Sequence, residues 1–341
     1  PFIIFHNLHI KLIISIINLF NIRILKINKV YMKLLSIVFS FRNEEGNIEP
    51  LVKRISDTMQ KIQNWKYELI FVNDDSTDNS EKILLSLQKN NPIKIINMSR
   101  KFGIDPCVLA GFRNCSGDAV IYLHTDQQDP PEIIPELIKK HEDGNEIVHT
   151  VRTKRKGEGK FRMFVTKIAY KTIHMLSDIN LPIQAGDYKL ISKKALDVIL
   201  GQKEFRPYVR GLSVWVGFKQ DFVYYEREAR GEGESKMPLL SAGPVNDYIL
   251  GITSYSLKPL YLGIIFGFFA IFICLLLIAY SLYLKFNNLA IPGSTSIIIA
   301  ISFFSGILLF TLGVIGIYLA RIFEQTKGRD QYVIKEIKDY K

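Results

Sequence analysis

From residue 34 onward, short apolar runs alternate with stretches in which apolar residues recur at helical spacing. The runs at 34–41, 67–73, 93–98, 119–124 and 146–152 predict strands, and the segments 48–63, 80–89, 104–114 and 131–142 predict the helices between them. Strand and helix in strict alternation are the pattern of βαβ units, so the expected fold class is α/β with a mostly parallel sheet. Ligands of such sheets bind beyond the carboxyl ends of the strands, which directs attention to the residues that follow each run.

The pattern changes after residue 238. Residues 239–258 interleave apolar and polar positions, as an interfacial helix does. Residues 259–284 and 286–320 then carry no charged side chain, and each can supply the roughly 20 apolar residues that cross a bilayer. Two buried helices of a soluble core are the alternative, but uninterrupted runs of this length are rare there. The only turn-like stretch between them, 286–294, contains Asn287, Asn288, Pro292 and Gly293, which predicts an antiparallel hairpin of spans 259–284 and 295–320 with both ends on one side. Lys258 precedes the first span and Arg321, Lys327 and Arg329 follow the second, whereas Lys285 is the main basic residue near the loop. By the positive-inside tendency, the domain at 32–238 and the tail at 321–341 are cytoplasmic.

The net charge of +11 fits this arrangement, because basic residues beside a membrane hairpin are drawn to anionic headgroups, and charge alone makes a weak case for nucleic acid. Cys107, Cys115 and Cys274 have neither metal-ligand nor CxxC spacing and read as reduced residues. Residues 1–31 are rich in Ile and Asn, lack acidic residues and glycine, and have no apolar run long enough to span. Met32 is therefore expected to be the true start, with an amphipathic interfacial helix at 1–31 as the alternative.

Three polar clusters follow predicted strands: Arg42-Asn43-Glu44-Glu45, Asn73-Asp74-Asp75-Ser76-Thr77-Asp78, and His124-Thr125-Asp126-Gln127-Gln128-Asp129. Any one of them reads as a loop with helix-capping acids. Three at one sheet edge suit a divalent cation that bridges the phosphates of a nucleotide. The P-loop and the dinucleotide fingerprint are absent, so ATP hydrolysis and NAD chemistry have no support. A further run, 152–162, is strongly basic and reads either as a solvated loop or as one that orders over phosphates.

At these residues the chain resembles the family 2 glycosyltransferases, and among them the polyisoprenyl-phosphate glycosyltransferases, the group that includes dolichol-phosphate mannose synthase. Ser40-Phe41-Arg42-Asn43-Glu44-Glu45 resembles the family's P-V-Y-N-E-E, and Val72-Asn73-Asp74-Asp75-Ser76-Thr77-Asp78 resembles V-D-D-G-S-T-D, with Asn73 and Asp75 departing from it. Ser99-Arg100-Lys101-Phe102-Gly103 with Ala110-Gly111 resembles S-R-N-F-G followed by A-G. His124 to Glu132 resembles D-A-D-L-Q-D-P-P-E with His in the first Asp position, and Gly186-Asp187-Tyr188-Lys189-Leu190 resembles G-D-F-R-L. Arg206, Arg210, Trp215, Gly217 and Phe218, then Arg227, Arg230, Gly233, Ser235 and Lys236, resemble two further stretches.

The resemblance implies a GT-A fold, Rossmann-like with a mostly parallel sheet, followed by the two-helix transmembrane hairpin. It implies that Ser40, Glu44 and Asp74 hold the nucleoside, Asp74 through the base, that Arg100 lies near the diphosphate, and that Asp126 is the principal metal ligand, with Asp129 and Gln128 shaping the site. His124 is then either a further ligand of Mg2+ or Mn2+, its imidazole suiting Mn2+, or a contact to the ribose. Asp187 becomes the catalytic carboxylate, and Arg206, Arg210 and Lys236 become candidates for the lipid phosphate or the leaving diphosphate. The implied reaction is inverting transfer from a nucleotide-sugar, UDP-glucose by default with GDP-mannose competing, to undecaprenyl phosphate at the bacterial inner membrane. Rival readings are transfer directly to a glycan or glycolipid, and an inactive membrane scaffold in which His124 has replaced a needed carboxylate. Gly306, Gly313 and Gly316 could pack hairpins into a homo-oligomer.

Overall fold

The computed structural model describes residues 32–155, 172, 175, 185–205, 207–227, 242–287 and 293–340. Residues 1–31 therefore lie outside the described residues, as do Arg206, Arg230, Gly233, Ser235, Lys236 and most of the basic run after Arg155.

The strands are β1 (Lys33–Phe41), β2 (Trp65–Asn73), β3 (Ile93–Met98), β4 (Ala119–His124), β5 (Ile147–Arg155), β6 (Ala185–Ser192), β7 (Gln220–Arg227) and β8 (Ile334–Lys338). The helices are α1 (Glu45–Met59), α2 (Ser80–Leu87), α3 (Ile104–Arg113), α4 (Ile134–Glu142), α5 (Lys193–Leu200), α6 (Val209–Trp215), α7 (Ala242–Thr253), α8 (Lys258–Phe286) and α9 (Ser294–Thr326). They build one sheet in the order β7-β5-β6-β4-β1-β2-β3-β8. β4, β1, β2 and β3 run parallel, β6 is antiparallel to both neighbours, and β8 is antiparallel to β3. This is the mostly parallel Rossmann-like sheet that the pattern predicts.

Alternate residues of each strand face opposite layers. Leu35, Ile37 and Phe39 of β1 pack with Ile48, Leu51 and Ile55 of α1 and Leu137 of α4, and Phe39 stacks on Phe71 of β2 at 4.5 Å. Val38, Ile70, Val72 and Ile96 face the other way, onto Cys107, Val108 and Phe112 of α3 and Leu196 of α5. α3 lies close against β1 because Gly111 has no side chain: a Cβ there would stand 2.3 Å from Val38 Cγ1. β1 through β4 are buried along most of their length, which is why their apolar runs were legible.

α8 and α9 are each long and apolar enough to cross a membrane, over Lys258–Leu284 and Phe303–Thr326. Gly263 of α8 receives Thr311 of α9, whose Cγ2 would lie 2.7 Å from a Cβ, whereas a Cβ at Gly306, Gly313 or Gly316 would meet nothing within 4 Å.

The chain that leaves α9 is no loose tail. It returns to the sheet as β8, with Asn97 opposite Glu336 and Ile95 opposite Lys338. The base of the hairpin is also tied down: Tyr318 donates to the Ser256 carbonyl (2.6 Å) and Arg321 to the Thr253 and Ser254 hydroxyls (2.6 and 3.0 Å) of the segment before it, and Gln331 donates to the Glu204 carbonyl of the domain (2.8 Å). Both ends of the hairpin thus meet the same domain.

Candidate active site at the carboxyl edge of the sheet

The loops after β1 and β2 interlock. Asn43 accepts from the Thr77 N–H (2.8 Å), its own N–H reaches the Ser76 hydroxyl (3.1 Å), and the Glu45 N–H donates to Asp78 (3.2 Å). Three of the four described non-glycine residues with left-handed backbone stand just past strands of this edge: Asn43 (φ 55°), Asp75 (φ 60°) and Gln127 (φ 58°). Such conformations favour Gly, Asn and Asp and concentrate at functional sites. They also explain one departure from the family pattern, since position 75 is glycine there and Asp is tolerated here.

Asp74, buried, accepts from the Phe102 N–H (2.6 Å) and the Gly103 N–H (3.0 and 3.2 Å to its two oxygens). Gly103, at φ 98°, gives the loop the turn that aims both donors at one carboxylate. The loop 99–103 therefore folds over Asp74 as a fixed cap. Arg100 is exposed, with its guanidinium 4.0 Å from the Phe102 ring centroid and a bond to the Lys101 carbonyl (3.0 Å). It stands on the rim of this cap.

After β4 the motif divides. His124 lies in line with Ser40 and Asp187: Ser40 Oγ is 2.8 Å from Tyr122 Oη, Tyr122 Oη is 3.2 Å from His124 Nδ1, and His124 Nε2 is 3.9 Å from an Asp187 oxygen. Asp126, partly exposed, accepts the Gln128 N–H (3.3 Å), and Gln127 ties the loop to Asn47 of α1 (3.3 Å). Asp129 points inward and is fully buried. It faces Arg152 (3.4 Å), Arg227 (3.8 Å) and the Tyr225 hydroxyl, which donates to it. Burial works against its charge, but Arg152 above all holds its carboxyl below the ordinary range. Asp129 is thus placed to brace the loop through groups of β5 and β7.

Among the described residues no three His, Cys, Asp or Glu side chains cluster as a ready-made cation cage. Asp126, partly exposed and two residues from His124, instead suits a cation that would take its remaining ligands from a bound nucleotide and water.

On the other side of the edge, β6 carries Asp187 and Lys189. Gly186 before them leaves room for Arg152, whose Nη2 would lie 2.8 Å from a Cβ. Arg210 of α6 grips Asp187 with both arms, Nε to Oδ1 at 2.9 Å and Nη2 to Oδ2 at 2.6 Å. Burial opposes the charge, but Arg210 outweighs it and holds the Asp187 carboxyl well below the usual carboxylate range. Lys189, buried, donates to the Ser213 hydroxyl (3.0 Å), and burial pushes its ammonium down to about 8 although Asp187 draws it up. Asp187 and Lys189 share a small cavity with Asp105, Tyr122 and Val209. α6 itself is seated on the segment before the hairpin: a Cβ at Gly211 would be 2.1 Å from the Tyr255 ring.

The structure therefore brings Ser40, His124, Asp187 and Arg210 into one contact chain, with Glu44, Asp74 and Asp126 along the same edge. Tyr122 and Asn97 were not singled out from the sequence, Arg152 was read only as the start of the basic run 152–162, which its burial here takes out of solvent, and Lys189 only as part of a motif. Lys189 had a signal, a basic residue in the Gly186-Asp187-Tyr188-Lys189 motif, whereas Tyr122 sits within an apolar run and gives none.

Comparison with known proteins bears on this edge directly. The family described as Glycosyl transferase family 2 matches residues 36–200. The chain is 41% identical to the uncharacterized glycosyltransferase YkcC of Bacillus subtilis, over 88% of this chain and 93% of that one. It is 38% identical to the uncharacterized glycosyltransferase sll0501 of Synechocystis, over 89% and 95%. It is 31% identical to the prophage bactoprenol glucosyl transferase homolog of Escherichia coli, over 89% and 99%.

Proposed function

The chain belongs to glycosyl transferase family 2, and from that premise we propose that it transfers glucose from UDP-glucose to undecaprenyl phosphate at the cytoplasmic face of a membrane, with inversion at the anomeric carbon. The observation that carries the reading is the way one domain is gripped at both ends of an apolar hairpin while its polar sheet edge gathers Asp74, Asp126, His124 and Asp187. A phosphate on a polyprenyl chain cannot leave the membrane surface, so an enzyme that uses it has to be held there. Relatives named bactoprenol glucosyl transferases support both the sugar and the class of acceptor.

Asp74 and Glu44 flank the nucleoside, with the base lying against the cap formed by residues 99–103. Asp126 and His124 are the residues that would hold Mg2+ or Mn2+, and the cation would supply neutralisation of charge on the leaving group. Asp129 braces that loop through Arg152. One lipid phosphate oxygen forms the new bond to the anomeric carbon as the bond to the UDP oxygen breaks on the opposite face. A phosphate monoester with second pKa near 6 is already mostly a dianion at neutral pH, so no base has to remove a proton. Asp187, kept ionised by Arg210, is correspondingly a poor general base, and its role is to orient hydroxyls and offset positive charge growing at the anomeric carbon. Lys189, Arg206 and Lys236 supply the cationic surroundings of the acceptor phosphate, and Arg210 joins them only by sharing its hold on Asp187.

The test is transfer of labelled sugar from a panel of UDP- and GDP-sugars to undecaprenyl phosphate by the detergent-solubilised protein, with Mg2+, Mn2+ or chelator. A chelator-sensitive, configuration-inverted lipid product, lost in Asp126→Ala and Asp187→Ala, is the expected result. No lipid product from any donor by folded protein overturns the acceptor and turns attention to a glycan acceptor or a scaffold. Donor hydrolysis separates those two, since a scaffold gives none.

A further inference from the structure

The segment that follows the hairpin reaches the donor site through a line of hydrogen bonds. Glu336 of β8 pairs in register with Asn97 of β3, and its Oε1 accepts from Asn97 Nδ2 at 2.9 Å. Asn97, buried, accepts in turn from Asn73 Nδ2 at 3.0 Å. Asn73, also buried, accepts from the Ser76 N–H at 2.9 Å and so pins the turn that carries Asp75 and Asp78. The residue just before β8 also meets the capping loop, because the Ser99 N–H donates to the Val333 carbonyl (2.9 Å).

Two carboxylates and one ammonium surround this line. Asn97 Nδ2 also donates to Glu81 (2.7 Å), and Lys338 bridges Glu81 (2.7 Å) and Glu336 (3.3 Å). The hydrogen bond from Asn97 is the main reason that the Glu336 carboxyl sits below its ordinary range. The line also accounts for the second departure from the family pattern, Asn at 73. An aspartate there would offer no N–H to Asn97 and would bring another carboxylate towards Glu81 and Glu336.

We infer that Glu336 is a positioning residue of the donor site: through Asn97 and Asn73 it holds the 73–78 turn in its nucleotide-binding shape, so that the strand leaving the membrane hairpin sets donor affinity. The inference rests on the reading of this edge as a nucleotide-sugar site. It distinguishes β8 from a strand that merely closes the sheet, since backbone pairing with β3 would survive loss of one side chain.

The test uses the full-length protein in detergent, with UDP and GDP binding in Mg2+ measured by calorimetry beside donor KM and kcat. Glu336→Ala should weaken whichever nucleotide the wild type binds by about tenfold, the size of one lost hydrogen bond, and raise donor KM while kcat stays within about twofold. Glu336→Gln, which can still accept from Asn97, should bind nearly as the wild type does. Asn97→Ser is the second variant, able to report even where Glu336→Ala folds poorly. Its loss should be non-additive with that of Glu336→Ala, as for members of one network. Lys335→Ala, exposed on the same strand and acting on Glu336 only through screened charge, should change binding by less than about twofold. Unchanged nucleotide binding in folded Glu336→Ala, a Gln variant as weak as Ala, or additive losses would each overturn the inference. A wild type that binds neither nucleotide removes the donor reading together with it. A wild type that binds but makes no lipid product removes only the acceptor reading.

Discussion

The two halves of the sheet edge hold their carboxylates in opposite ways. On the half built from β1, β2 and β3, acids are held by N–H groups: Asp74 by Phe102 and Gly103, Asp78 by Glu45 and Ser80, and Glu45 by Asn79. On the half built from β4 to β7, Asp129 and Asp187 are held by Arg152 and Arg210. Backbone donors fix a shape without bringing in a cation. Guanidinium pairs instead place fixed positive charge beside the carboxylates they hold. The difference also implies different costs of disturbance, because a carboxylate held by several N–H groups loses little when one is removed, whereas a buried ion pair that loses one partner leaves a bare charge.

The largest effect therefore belongs to Arg152. Its removal as Arg152→Ala strips Asp129 of its nearest cation at a position with no solvent exposure and should destabilise the protein by about 3–5 kcal/mol, read as a fall in the denaturation midpoint in detergent. A loss below about 1 kcal/mol would mean that Tyr225 and Arg227 already suffice. Arg210→Ala comes next and reads out differently. Asp187 is about a third exposed, so stability should fall only slightly, while transfer should drop by about 100-fold or more as the carboxylate loses its orientation. Equal damage to stability at 152 and 210 would break the distinction between a brace and a working pair.

The same contrast explains what could be read from the sequence. β1 to β4 announce themselves because strands buried on both faces must be apolar. β6 does not, because Asp187 is partly exposed at the site and Lys189 occupies a buried position that the site has claimed from the core. β7 lies at an edge and is half-exposed, and β8 is a five-residue strand whose sequence Ile334-Lys335-Glu336-Ile337-Lys338 looks like a charged tail. Asp126 and Asp129 stand in one motif and read alike. What separates them is supplied by Arg152, Tyr225 and Arg227, distant in the chain. For the same reason Arg210 could be read as a phosphate ligand, since nothing adjacent reveals its bidentate hold on Asp187.

Lys189 gives a smaller and pH-dependent effect on the arginine-held half. Burial lowers its ammonium to about 8, below the ordinary lysine range near 10.4, so between those values the unfolded chain binds more protons than the folded one. Stability should then rise as pH increases through this window. Transfer should fall in the same window, with about half lost near pH 8, if the cation beside Asp187 helps to receive the acceptor phosphate. Lys189→Arg keeps its charge throughout and should flatten both trends. An alkaline limb that persists unchanged in that variant would assign the titration to another group.

The smallest effect separates shape from charge on the half held by N–H groups. Asp75 sits at φ 60°, where glycine has no steric penalty and Asp a modest one, while glycine costs more entropy in folding by roughly 0.5–1 kcal/mol. The two nearly cancel, so Asp75→Gly should change stability by less than about 1 kcal/mol. Asp75→Val places a β-branched side chain in the same conformation and should lose about 2 kcal/mol, with weaker nucleotide binding as the turn shifts. If nucleotide affinity follows the turn, glycine will bind at least as well as Asp and valine worse, in the same order as their melting temperatures. If both variants weaken binding equally while only valine melts early, then it is the carboxylate at 75, rather than the backbone it permits, that this half of the edge contributes to the nucleotide.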